Sequence, residues 1–435
     1  MSTLRSSAQR AVASGLVVLT LGACDQSRAR TQQAGPRPKA VPSLVPPPSV
    51  ESEVARALEQ APPPSKAEPP KALAEHEKDD RPVTDSRFIL DGLNDLGPAG
   101  PSAAFAGGVV MVTRSDELVL SKLQQPPSKS KKPAPGVLEP ITRGPAEFWP
   151  VARGPAVSAT HVYWISKERL VRRALAGGAL EVLASDARAG TRVSVAGPPD
   201  VVAYLAQPKP TSEPKLERDP EGPPPPVAKL RLPDGRMLEL TPQGAAASSV
   251  SLAKVGDDVI ASAIDGRSAM TPVHARRFRR SAGTLDADVV VWVSGATQGM
   301  TEISSVGTNE GAWLLMAVEK DVSHFGLAAL ALGPDPKMDP PLRWRTYENG
   351  LDRAPATAAV VCGKPLVVYV RPADARPTSN QELVMSELTL NETANSEILA
   401  TARGFADVSL YGLPEGALVA YVADRRTWAR LIRCK

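Results

Sequence analysis

Cysteine and histidine are nearly absent from this chain of 435 residues, which holds three and four of them. That scarcity leaves little material for a Cys/His metal centre or a histidine-based catalytic relay. Aromatic residues make up 4%, so a core must be built mainly from Val, Ala and Leu, and the tryptophans fall mostly inside apolar strand patterns, where they read as core. Charge of one sign is lacking too. A formal net charge of +4 over this length gives no field able to steer a nucleic acid. Apolar stripes of helical period are missing from the body of the chain, which argues against a helical repeat. G-x-S-x-G, the Walker loop and H-E-x-x-H do not occur. His161 reads as preceding a second strand, His274 as lying in a third strand and His324 as lying in a loop; they share no metal-ligand spacing, so neither a metal nor a cofactor is expected.

Proline, by contrast, is abundant at 44 residues, and its clustering marks the organisation. The first 23 residues read as a signal peptide: Arg5 and Arg10 precede the apolar run Ala11–Leu21, which is too short to span a bilayer comfortably. The run ends in Leu21-Gly22-Ala23-Cys24, which resembles the bacterial lipoprotein signal. That resemblance implies cleavage before Cys24 and a lipid on its thiol, and acyl chains at ~0.8 kcal/mol per buried methylene would hold the chain to a membrane. Asp25 resembles an inner-membrane retention signal of enteric bacteria. Residues 24–85 contain VPSLVPPPS and APPPSKAEPP and read as a disordered Pro-rich tether, since such composition cannot bury enough apolar surface to offset ordering.

From residue 86 to 435 one unit recurs. Its central strand begins near Val109, Val162, Val201, Val259, Trp313, Leu366 and Leu418, a period of about fifty residues, the size of a four-stranded propeller blade. Each central run follows a segment of small residues, such as RVSVAG (192–197), SSVSLAKVG (248–256) and DVSLYGLPEG (407–416). Small side chains suit the innermost strand, where blades converge on an axis. Third strands follow, and most copies add a fourth, as in LEVLAS (180–185) and VVVWVS (289–294). The seventh copy stops at its third strand, and RFILDGL (87–93) stands unclaimed before the first. The expectation is therefore an all-β fold: a β-propeller, seven blades of four antiparallel strands, closed by an N-terminal strand that fills the last place. Six or eight blades remain open, because the first and third copies carry insertions.

Patterns such as VYW…LVRRALAGG…VLAS resemble bacterial β-propellers of the TolB-like and WD-repeat-like kind. The chain departs from the WD type in having no WD dipeptide at its third strands. The Pro-rich insertions 124–136 and 207–226 read as surface loops that pack weakly. In such a fold the turns after the second strands gather on one face around the channel, which makes Arg114, Lys167, Arg169, Arg267, Lys320, Arg371 and Arg425 candidate ligand-face residues. The competing reading is ordinary charged hairpins. Cys362, in the first strand of copy six, and Cys434, in the third strand of copy seven, are either a disulfide or two buried thiols.

The functional expectation is a lipid-anchored module of the cell envelope, on the periplasmic side of a membrane or at the cell surface. It would bind or scaffold an envelope protein, a peptide or a glycan, and no nucleic acid. The alternative is a propeller enzyme, a lyase or glycan hydrolase, with its site on the same face.

Overall fold

The second strands carry apolar runs with no polar break, such as the six buried residues of Val201–Ala206. Successive side chains of a strand point to opposite faces, so an unbroken run needs cover on both. In the computed structural model of the chain, each blade finds that cover by standing between two others. Val162 and Trp164 pack with Val110 and Leu120 of blade one, whereas Tyr163 and Ile165 pack with Val202 and Tyr204 of blade three. Val201, Ala203 and Leu205 turn the other way, toward Val259 and Ala261 of blade four. The alternation continues until Leu418 and Ala420 of blade seven meet Val109 and Met111 of blade one. Seven apolar layers result, one between every pair of neighbours. The protein is a seven-bladed β-propeller.

The structure describes residues 88–435 apart from 99, 114–116, 123–133, 136, 141–153, 209–224, 244, 267–271, 292–299, 322–323, 335–343, 349–355, 374–379 and 390–395. The expected signal peptide and tether lie outside the described residues. No helix occurs among those described. Every blade has four antiparallel strands, and in blades one to six they follow chain order from the axis outward. Blade two, for example, runs Ala156–Val157, His161–Ser166, Arg169–Ala174, Glu181–Ala184. Blade seven draws its fourth strand from the other end of the chain. Phe88–Pro98 lies antiparallel to Arg426–Cys434, paired from Phe88↔Cys434 to Pro98↔Arg426 with register shifts at Leu90/Leu93 and Asp95/Gly97, and Phe88, Leu90 and Leu93 pack on the layer between blades six and seven.

The small residues of the inner strands do more than save space. An innermost strand has one unpaired edge, whose backbone N–H groups need acceptors. Hydroxyls of the preceding blade supply them: Ser409 Oγ accepts from the Ala104 N–H at 3.0 Å, Ser194 Oγ from Leu252 at 3.0 Å, and Ser249 Oγ from Ile303 at 3.2 Å. Each such bond contributes about 1 kcal/mol. Gly307 shows how close the inner strands come, since a Cβ there would lie 1.6 Å from the Lys254 carbonyl oxygen.

Several local expectations need correction. The closing strand reaches Pro98 rather than stopping at Leu93, because pairing with the whole third strand satisfies more backbone groups. The fourth strand of blade four, expected at 289–294, is split: Thr284–Leu285 and Val289–Val291 both pair with Val273–Arg279. His161 opens a second strand rather than preceding it, and His324 opens the strand His324–Leu332 rather than lying in a loop. Cys362 follows the strand Ala356–Val361 at a left-handed turn position, φ 54°. Finally, the end of the first insertion does pack. Ala134–Pro135 runs parallel to Asn94–Asp95 and covers part of the closing strand's outer edge, which would otherwise present free backbone groups.

Candidate ligand face

Four antiparallel strands per blade place the turns between second and third strands on the same face as the links from one blade to the next. The first-to-second turns lie on the opposite face. Two of the former turns are two residues long and carry charge. Lys167 in blade two has φ 58°, and Asp424 and Arg425 in blade seven have φ 49° and 64°. A left-handed backbone costs a non-glycine residue roughly 1–2 kcal/mol, and Gly or Asn is the usual occupant. Lys167, Arg169 and Arg425 are exposed, as are Arg188 in the link to blade three and Arg403 in the link to blade seven. Glu168 and Asp424 are the exposed acids beside them. Arg169, Arg188, Arg403 and Arg425 make no salt bridge with any described residue.

The remaining expected face residues fare differently. Arg371 lies at the end of the strand Lys364–Pro372 and is held by Glu382, with Nη2 to Oε2 at 3.0 Å. Lys320 lies near the end of the strand Gly311–Asp321. Arg114, Arg267 and Cys24 lie outside the described residues. Cys362 and Cys434 are joined in a disulfide, Cα to Cα 6.0 Å, on the opposite face.

At the mouth of the channel on the cationic face is a cluster that no turn taken singly reveals. Asp407, near the start of blade seven's inner strand Phe405–Leu413, is 6% exposed. Its Oδ2 accepts from the Ser102 N–H of blade one at 2.7 Å. Its Oδ1 accepts from Arg192 Nη2 at 3.2 Å. Arg192 stands just before blade three's inner strand Ser194–Ala196, and two blades separate it from blade seven on the shorter way round, so the pair crosses the mouth. Gly154, from the link into blade two, is the fourth member; a Cβ there would lie 3.1 Å from Ser102 O and 3.6 Å from Asp407 Oδ2. Two donors in the cluster meet no partner among the described residues, the Ser102 hydroxyl and Arg192 Nε. The sequence does carry a signal. RVSVAG and DVSLYG are the same repeat segment with opposite charges at the first position.

Other polar groups are tied up structurally. Tyr163 donates to Asp200 Oδ2 at 2.6 Å, and Tyr204 to Asp186 Oδ1 at 2.9 Å, where Lys229 Nζ also binds the Asp186 carboxylate at 2.7 Å. Burial is the first cause that raises both hydroxyls well above the usual tyrosine value, with the neighbouring aspartates adding to it. His274 Nδ1 meets Asp288 Oδ2 at 2.6 Å. Among the described residues no group of three His, Cys, Asp or Glu could hold a metal ion.

Comparison with known proteins adds little. No protein family matches the chain, and no curated protein resembles it. A crystal structure described provisionally as a gluconolactonase is 12% identical, covers 79% of this chain and 92% of its own, and superposes with a TM-score of 0.37. At that score the likeness says nothing about activity.

Proposed function

We propose that this chain is an envelope-anchored β-propeller that binds its partner on the face built from the second-to-third strand turns, held at a distance from the membrane by a lipid on Cys24 and the tether that follows. The observation that carries the reading is the placement of Lys167 and Arg425. Both are exposed, both lie on the same face, and both occupy left-handed positions where glycine would be more stable by about 1 kcal/mol. Exposed residues held in a costly backbone conformation are candidates for a contact role. The reading covers an envelope protein, a peptide or a glycan as partner; mixed signs at Glu168 and Asp424 argue against a polyanion.

The test pairs two readouts that should move in opposite directions. Lys167→Gly and Arg425→Gly should each leave the propeller equally stable or raise its melting temperature slightly, by relieving the turn. The same variants should lose the crosslinked partner that the wild-type protein captures in intact envelopes. Capture that is unchanged in the double variant, or no reproducible partner for the wild type, would remove the basis of the proposal.

A further inference from the structure

We infer that the channel mouth is a binding site for a ligand carboxylate, held by Arg192 and Ser102 above Asp407. The inference deepens the proposed binding face, on which it rests, by assigning it a central subsite. Three observations carry it. First, Ser102 is 4% exposed, yet its hydroxyl meets no hydrogen-bonding partner among the described residues. An unmet buried hydroxyl is costly, and an acceptor brought by a ligand would satisfy it. Second, Arg192 engages Asp407 through one Nη only, its Nε is also unpartnered, and its side chain is 36% exposed. A guanidinium held by one edge still presents donors to a second planar acceptor. Third, the corner between them is kept free of side chain by Gly154, where a Cβ would press on Ser102 O at 3.1 Å.

Arg192 Nε can only donate and the Ser102 hydroxyl can donate beside it, so the complementary ligand atom is an acceptor oxygen. The exposed Arg188 and Arg403 in the flanking links favour an anion. The carboxylate of Asp407 then limits its charge. A dianion such as phosphate would meet about twice the repulsion of a monoanion at the same distance, in a site where water screens poorly. A single carboxylate accepts from Arg192 and the Ser102 hydroxyl while Asp407 keeps its bond from the Ser102 N–H. Either a free organic acid or the C-terminus of a peptide presents that group.

The test is calorimetric titration of the full-length protein with four probes: propionate, N-acetyl-Ala-Ala, its C-terminal amide, and inorganic phosphate. The free acids should bind, with the amide at least tenfold weaker and phosphate weaker than either acid. Propionate equal to the dipeptide would identify a free-acid site, and a dipeptide advantage would identify a peptide terminus. Ser102→Ala, which keeps the backbone bond to Asp407, should weaken the acid about tenfold, the loss of one hydrogen bond to a charged group. Arg192→Lys should weaken it further. Acid and amide binding alike, no heat with either acid, tighter phosphate, or an unaltered Ser102→Ala would each overturn the assignment, the last by showing that water satisfies the hydroxyl. Envelope crosslinking on the same Ser102→Ala protein separates the two ideas. A partner that is still captured while no acid binds leaves the binding face standing without this subsite.

Discussion

Breaking the bridge between Cys362 and Cys434 should lower the melting temperature by about 6 °C. The bridge closes a loop with a sequence separation of 72. In the chain-entropy account, such a loop removes about 15 cal/mol/K from the unfolded ensemble, or about 4 kcal/mol at 25 °C. A domain of roughly 350 residues unfolds with an entropy of about 0.7 kcal/mol/K near its midpoint, and the quotient is the expected shift. Its position sharpens the expectation. Cys362 lies at the first turn of blade six, and Cys434 ends the third strand of blade seven directly opposite Phe88 of the closing strand. Opening the bridge therefore frees the end of the seam as well as the loop, and amide exchange should rise at 88–90 and 431–434 first. Cys434→Ser is the cleaner substitution, because Cys362 sits at positive φ and replacing it also changes the cost of the turn. Calorimetry with and without reductant, on the wild type and Cys434→Ser, is the assay. Thiol titration of the unreduced protein must accompany it. Two reactive thiols from this pair before reduction, or a shift under 1 °C on reduction, would refute the reasoning.

Deleting Phe88–Pro98 should destroy the single cooperative transition, because it opens the seam of blade seven and uncovers Val419, Tyr421 and Ile432; a wild-type melting curve would mean that the strand is dispensable. Cys24→Ala should move the protein from the membrane fraction to the soluble one, and unchanged partition would defeat the lipid anchor. Alkali should unfold the protein earlier than its arginines would suggest. Burial pushes the Tyr421 hydroxyl up to about 12, and burial raises Tyr163 and Tyr204 as well, so the folded state keeps protons that the unfolded chain loses near pH 10. Stability is then intact below pH 10 and falls between 10 and 12, by about 1.4 kcal/mol per pH unit for Tyr421 alone; tyrosinate absorbance that develops fully before unfolding would contradict it.

The architecture is legible in the chain because burial on both faces leaves a mark that survives in a single sequence. Val201–Ala206 and Gly416–Ala423 are buried along their whole length, and runs of that kind every fifty residues suit few folds besides a ring of blades. The closing strand is legible by counting, since blade seven lacks a fourth strand of its own. Outer strands are harder to read. The fourth strand of blade four breaks in two, because strands at the rim have one side to solvent and less pattern to show. The mouth cluster is legible only in part. Taken one at a time the turns hide it, since Arg192 and Asp407 lie 215 residues apart and meet only because the ring returns. Their charges at the head of otherwise matching segments are the clue, visible when copies are set against one another rather than followed along the chain.

The disulfide and the mouth cluster meet in blade seven. Its outer strand comes from the start of the domain, its third strand carries Cys434, and its inner strand carries Asp407. The Ser102 N–H and Arg192 reach Asp407 from blades one and three, so this carboxylate has those partners only once the ends of the chain have joined. Before closure Asp407 would be solvated and its pairing with Arg192 would resemble that of two surface ions, which is worth little. After closure it is buried, and removing Arg192 leaves a charge with reduced compensation. Closure therefore builds the mouth, and the pair across the mouth in turn favours the closed ring. A ligand that binds there should also stabilise the seam, by an amount set by its concentration relative to its dissociation constant. Protection from exchange at 88–90 would report occupancy of a site on the opposite face, through nothing more than the integrity of one blade.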